Sequence, residues 1–107
     1  MFPEKEPEIK YLPSFRQELD AIVEYISVTL EAPRAALNLL DELEKSINDL
    51  KIFPFAHRRY HPIKPLLTEY RIVTVKNYLV FYVVLEEIIE IHRIIYKKRD
   101  LSQLVEN

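Results

Sequence analysis

Cations, imidazoles and phenols gather at three places in this chain: His57-Arg58-Arg59-Tyr60-His61, Arg71, and His92-Arg93 followed by Tyr96-Lys97-Lys98-Arg99. The planar fork of arginine matches phosphate oxygens bidentately, lysine adds a point charge, and histidine and tyrosine can carry protons. Such a set suits a surface that holds phosphate or an acidic partner. Other chemistries are excluded by composition. With Cys 0 there are no thiol nucleophiles, disulfides or cysteine zinc sites, and with Gly 0 there is no glycine-rich phosphate loop. His57 and His61 stand four apart, but the segment is proline-flanked and has no HExxH glutamate, so it reads as an exposed loop rather than a metal pair. No metal or other cofactor is expected. The carboxylates fall on helix surfaces, where pairing and solubility explain them.

The charge is divided along the chain. Residues 1–50 hold five Lys/Arg against eleven Asp/Glu, and residues 51–107 hold ten against six, a formal −6 followed by +4 within a net charge of −2. The basic half contains all three histidines. A local basic face can therefore bind an anion although the whole chain is slightly acidic.

These residues need a frame. At 107 residues and 49% hydrophobic content the chain is one domain with a real core, and no apolar run approaches a membrane span or a secretory leader. A cytoplasmic protein with no membrane partner is expected. Residues 1–8 read as a loose arm and 9–107 as a single domain. Ile9 to Leu12 predicts a short strand ended by Pro13, after which Ser14 and Gln17 form a capping box at the head of a helix. Phe15, Leu19, Ile22 and Ile26 make one apolar stripe; Ala32-Pro33 breaks the helix, and Ala36, Leu40, Leu43, Ile47 and Leu50 make a second stripe. Together they predict an antiparallel helical hairpin. Phe55 to Thr68 lacks periodicity and reads as a long loop.

From Tyr70 the texture becomes β-branched and aromatic: Tyr70 to Val75, Tyr78 to Leu85 and Ile88 to Tyr96, with turns at Lys76-Asn77 and Glu86-Glu87. This predicts a three-strand antiparallel meander. In its middle strand Tyr78, Val80, Tyr82 and Val84 face one way, and Leu79, Phe81, Val83 and Leu85 the other. Two apolar faces need two covers. The hairpin covers one, with Tyr78 and Tyr82 in the core. The second is left to the tail (Leu101, Leu104, Val105), a second copy or another partner, and three tail residues are few for a whole face.

The order β-α-α-β-β-β, with Tyr70-Arg71, then Asn77-Tyr78-Leu79-Val80-Phe81-Tyr82, then Arg93-Ile94-Ile95-Tyr96-Lys97-Lys98-Arg99-Asp100, resembles the RelE/ParE toxin superfamily over about Ile9 to Leu104. The resemblance implies an α+β fold with the helical hairpin packed on a mainly antiparallel sheet. It also implies a toxin of a type II toxin-antitoxin module, of the kind associated with plasmid stabilisation, neutralised by a cognate antitoxin that folds onto it.

Two branches imply two targets. A RelE-like protein is an mRNA interferase that cleaves messages on the ribosome by attack of the 2′-hydroxyl on the adjacent phosphate. For that reaction the resemblance offers Arg71 and Arg99 as phosphate clamps, Lys98 as a second cation, and Tyr96, His92 or His61 for proton transfer. Leu79 stands where many ribonuclease members have an arginine, and Val105 near the expected C-terminal tyrosine. A ParE-like toxin instead binds DNA gyrase, and here Arg58, Arg59, His61, Arg93 and Lys97 are the binding candidates. This second branch fits the sequence better. A degenerate, non-toxic binding module is the third reading, and a homodimer is compatible with all three.

Overall fold

The computed structural model of the chain describes residues 6–61 and 68–99. Strand β1 (Glu8–Tyr11) leads into helix α1 (Pro13–Glu24), which runs on through a π-helical turn (Tyr25–Thr29); helix α2 (Pro33–Leu50) returns antiparallel, and strands β2 (Arg71–Val75), β3 (Tyr78–Val84) and β4 (Ile88–Tyr96) follow. The sheet order is β1-β4-β3-β2, with β1 parallel to β4 and the other pairs antiparallel. The expected α+β architecture is the observed one. The first strand begins inside the expected arm, because Glu8 N–H donates to Glu87 O (3.0 Å) and Pro7 is buried.

Each helix starts on a proline at its first position, where a missing N–H costs nothing and φ is already set. That corrects the capping box. Leu12, not Ser14, flanks the helix, and no side chain caps it. The Ser14 hydroxyl is thereby freed to donate to His92 O on β4 (2.7 Å). Phe15 is buried, and Leu19, Ile22 and Ile26 pack against the same core. On α2 the buried stripe is Ala36, Leu39, Leu43, Ile47 and Leu50, so Leu39 takes the place expected of Leu40, which is only half-buried. Adjacent leucines lie about 100° apart on a helix, and both fit the stripe until packing selects one. The hairpin turn ends on Glu31 with φ 51°, a left-handed position met without glycine.

The helices cover the face carrying Val73, Val75, Val80, Tyr82, Ile89, Ile91 and Ile94. The opposite face carries Tyr70, Ile72, Leu79, Phe81, Val83 and Ile95, and these are buried within the single chain. An open second face awaiting a partner is therefore not what the chain presents. The segment after α2 returns to the sheet: Ile72 N–H donates to Arg58 O (3.0 Å) and Tyr60 N–H to Tyr70 O (2.7 Å), so part of the expected loop pairs with the outer edge of the sheet at Arg59 and Arg71. The rings of Tyr60 and Tyr70 meet Phe81 edge-on, at 5.2 and 6.3 Å between centroids. The tail residues Leu101, Leu104 and Val105 lie outside the described residues.

Candidate functional site

The cations suggested by the sequence fall into three groups with different surroundings. At the start of β2, Arg71 donates from Nη1 to His57 O (2.8 Å) and lays its guanidinium over the Phe55 ring (4.9 Å). Beside it the Tyr82 hydroxyl donates to Pro54 O (2.9 Å), and burial pushes its pKa up to about 12 although Arg71 pulls the other way. Arg71 and Tyr82 thus pin the post-helical segment to the sheet. Arg58, Arg59 and His61 are exposed on that segment, and Arg59 lies 3.6 Å from Glu69, an ion pair in open solvent.

The second group lies where β4 outruns β1. A β-bulge opposes Phe81 to Arg93 and Tyr82 to Ile91, leaving His92 as the extra residue. The bulge re-aims two side chains. Arg93 Nε donates to both Glu18 carboxylate oxygens (3.0 and 2.9 Å) and Nη2 donates to Oε2. The same carboxylate accepts from Ile94 N–H (3.1 Å), so α1 is stapled to the sheet edge. This hydrogen bonding raises the Arg93 pKa further, against the effect of its burial. His92 Nε2 lies 3.0 Å from Glu90 Oε1 and Nδ1 lies 3.0 Å from the Tyr70 hydroxyl. An ionised carboxylate can only accept, so Nε2 donates to Glu90, and in the neutral ring Nδ1 accepts from Tyr70. Burial raises the Tyr70 pKa; Arg93 works against this and Glu90 with it. Both ring nitrogens of His92 are used in holding the sheet together.

The third group is free of such duties. Tyr96 (43% exposed) stacks edge-on with Tyr78 at 5.9 Å, and Lys97, Lys98 and Arg99 form an exposed turn fixed by Lys97 N–H to Asn77 O (2.9 Å) and Arg99 N–H to Tyr96 O (3.0 Å). This turn borders a groove of about 820 Å³ between the helical hairpin and the ends of β3 and β4. Ala21, Ile22, Ile26, Leu39 and Ile94 are among its lining residues, with Tyr25, Leu30 and Tyr96 exposed around it. The sequence reading missed this groove. Its signal was present in Tyr25 and Leu30, apolar residues beyond the core stripe of α1 that line it and remain more than half exposed.

The proposed ribonuclease set is not gathered. Arg71 stands opposite Tyr82, whereas Tyr96 stands opposite Tyr78, and β3 lies between their strands. That offset is roughly 13 Å along the strands, at about 3.3 Å per residue, plus two inter-strand spacings of about 4.8 Å. Tyr96, Lys98 and Arg99 share one end of the sheet, and Arg71 belongs to the other. Among the described residues no cluster of three or more His, Asp or Glu could hold a metal, and no helix is long and apolar enough to cross a membrane.

A helical hairpin on a β1-β4-β3-β2 sheet, with an apolar groove and a cationic turn at its open end, defines a small α+β fold. Residues 9–101 match the family described as the ParE toxin of the type II toxin-antitoxin system parDE, and the chain belongs to that family. Among solved structures it is similar to the chromosomal ParDE toxin-antitoxin system from P. aeruginosa, at 19% identity over 85% of this chain and 96% of that one (TM-score 0.65). It is also similar to the E. coli DinJ-YafQ toxin-antitoxin complex, at 11% identity over 86% and 93% of the two chains (TM-score 0.55). YafQ from E. coli strain BL21(DE3) aligns at 17% identity over 85% and 93% (TM-score 0.50). No curated protein matches.

Proposed function

We propose that the chain arrests growth by binding an essential target, DNA gyrase as implied for the ParE branch, and that a cognate antitoxin neutralises it. The observation that carries this reading against ribonuclease action is the separation of Arg71 from Arg99. Cleavage by a 2′-hydroxyl needs cations and proton-transfer groups converging on one phosphate. Arg71 is engaged by His57 O and Phe55, Arg93 by Glu18, and His92 by Glu90 and Tyr70, which leaves two exposed cationic sets, Arg58, Arg59 and His61 on the post-helical segment and Lys97, Lys98 and Arg99 with Tyr96 on one turn. Such a patch suits recognition of an acidic surface. Family membership supports the gyrase target.

The test is induced expression of the chain in a bacterial host, following growth, message integrity on ribosomes and plasmid supercoiling in one culture. Arrest with altered supercoiling and intact messages is expected. Arrest with ribosome-dependent message cleavage overturns the reading in favour of an mRNA interferase, and unaffected growth with folded protein present overturns it in favour of an inert binding module.

A further inference from the structure

We propose that the end of the sheet opposite the groove is a self-complementary surface that binds a second copy of this chain, about a two-fold axis passing among Phe53, Phe55 and Leu85. The inference goes beyond the toxin reading and holds whichever target the chain has. Three observations converge on it.

The first is an apolar patch held outward. Ile52, Phe53, Phe55 and Leu85 are between 44% and 63% exposed, Phe55 and Leu85 sharing one recess and Ile52 and Phe53 preceding them on the post-helical segment. This exposure does not come from a slack loop. Ile52 and Phe53 N–H both donate to Asp49 O (3.1 and 2.9 Å), the intervening Pro54 is buried with its carbonyl on the Tyr82 hydroxyl, and Leu85 N–H donates to Ile88 O (2.8 Å). A patch already fixed in place loses little entropy when it is covered. The four side chains expose roughly 400–500 Å², a size that marks interaction sites on small proteins and about half of the ~800 Å² each partner buries in a standard interface.

The second is shape. Phe55, Arg71, Val83, Val84 and Leu85, with Thr68 and Glu69, line a recess of about 360 Å³. Phe53 stands outside this recess in its own chain, and a phenyl ring is of a size to enter it. An isologous interface makes such an exchange reciprocal, each copy giving its Phe53 and receiving the other's.

The third is charge. Arg58, Arg59 and His61 are exposed beyond the outer edge of β2, where Arg59 pairs with Arg71. Glu86 and Glu87 are exposed on the turn into β4, and Glu8 is exposed beside them at the start of β1. Phe55 and Leu85 lie between these two corners, since the strand order is β1-β4-β3-β2. Glu69 offsets Arg59 (3.6 Å) and leaves the corner positive. A two-fold rotation lays the cationic corner of each copy on the acidic corner of the other. A partner surface of one sign would be attracted at one corner and repelled at the other, so a second copy is the occupant that this pattern fits. The dimer presents its two Tyr96–Arg99 turns at its outer ends, and a target offering two sites is held by both.

The test is sedimentation velocity of the purified full chain across the micromolar range, where a monomer–dimer equilibrium is expected. Phe53→Asp, at an exposed position, should weaken dimerisation at least tenfold with the circular dichroism spectrum unchanged. The charge arrangement is read from two further variants, Arg58→Glu with Arg59→Glu, and Glu86→Arg with Glu87→Arg. Each alone should be monomeric, because both of its corners then carry one sign, and an equimolar mixture of the two should restore the dimer as a heterodimer. A chain that is monomeric throughout, or a dimer that survives Phe53→Asp, overturns the proposal. Charge variants that dissociate the dimer yet do not pair when mixed overturn it as well. A monomeric chain whose growth arrest is lost in Phe53→Asp assigns the patch to a different partner and leaves the toxin reading standing.

Discussion

At the scale of single residues, the side chains that look most reactive are largely engaged in holding the fold. Glu18 illustrates why. Its two oxygens accept from Arg93 and from a backbone N–H of β4, so one carboxylate neutralises a half-buried guanidinium and satisfies a ladder donor that β1 is too short to reach. Tyr82 shows the same economy without charge. Its ring is fully buried and its hydroxyl holds Pro54 O, so the folded chain keeps that proton up to about 12 while an unfolded tyrosine releases it near 10. Because the native state binds the extra proton, stability should fall as the pH rises through that window. Urea unfolding at about pH 9.5 and about pH 11.5 should show the loss, and Tyr82→Phe should reduce the slope by up to one proton per molecule while costing about 1 kcal/mol at neutral pH. Tyr11, Tyr70 and Tyr78 shift in the same direction through burial and supply the slope that remains.

At the scale of elements, the chain makes its turns without glycine, and two residues carry the consequence. Glu31 ends the hairpin turn at φ 51° and Lys76 opens the β2–β3 turn at φ 53°, positions where a side chain costs about 1–2 kcal/mol. Lys76→Gly removes that cost against an entropic loss of roughly 0.5–1 kcal/mol, so a gain of up to about 1 kcal/mol is expected in urea unfolding. A loss of stability would show that the Lys76 side chain contributes more than its backbone strain costs. The elements themselves were legible because their periods are distinct: strands of β-branched and aromatic residues between Lys76-Asn77 and Glu86-Glu87, and helices bounded by Pro13 and Pro33. What was not legible involved contacts between distant segments. The apolar alternation of β3 told that both faces are covered but not by what. Tyr60, which packs on Phe81, sits in a polar stretch with no periodicity, and its return to the edge at Tyr70 depends on backbone pairing over ten residues. Ser14 read as a cap because the local pattern fits one; Pro13 already starts the helix, and the hydroxyl finds a carbonyl 78 residues away.

At the scale of the whole molecule, cations of the basic half of the sequence are divided between the two ends of one sheet. Arg71 lies at one end, inside a contact between the post-helical segment and β2, and Arg99 lies at the other, exposed beside the groove. Sequence placed both in one list, since residue type and family resemblance do not report which arginine has a partner within its own fold. The two should therefore fail differently. Arg71→Ala removes a charge-assisted hydrogen bond to His57 O and the stacking on Phe55, which should cost about 1–3 kcal/mol and reduce growth arrest only as far as it reduces the folded fraction. Arg99→Ala breaks no side-chain contact of that kind and should stay within about 0.5 kcal/mol of the original stability. It should nevertheless weaken growth arrest at equal levels of folded protein, because a charge at the rim of a binding surface acts on encounter and recognition rather than on folding. Urea unfolding of both variants, paired with growth curves at matched soluble protein, separates the two behaviours. A large loss of arrest in Arg71→Ala with its stability intact would place that arginine in the functional site and join the two ends of the sheet in one mechanism.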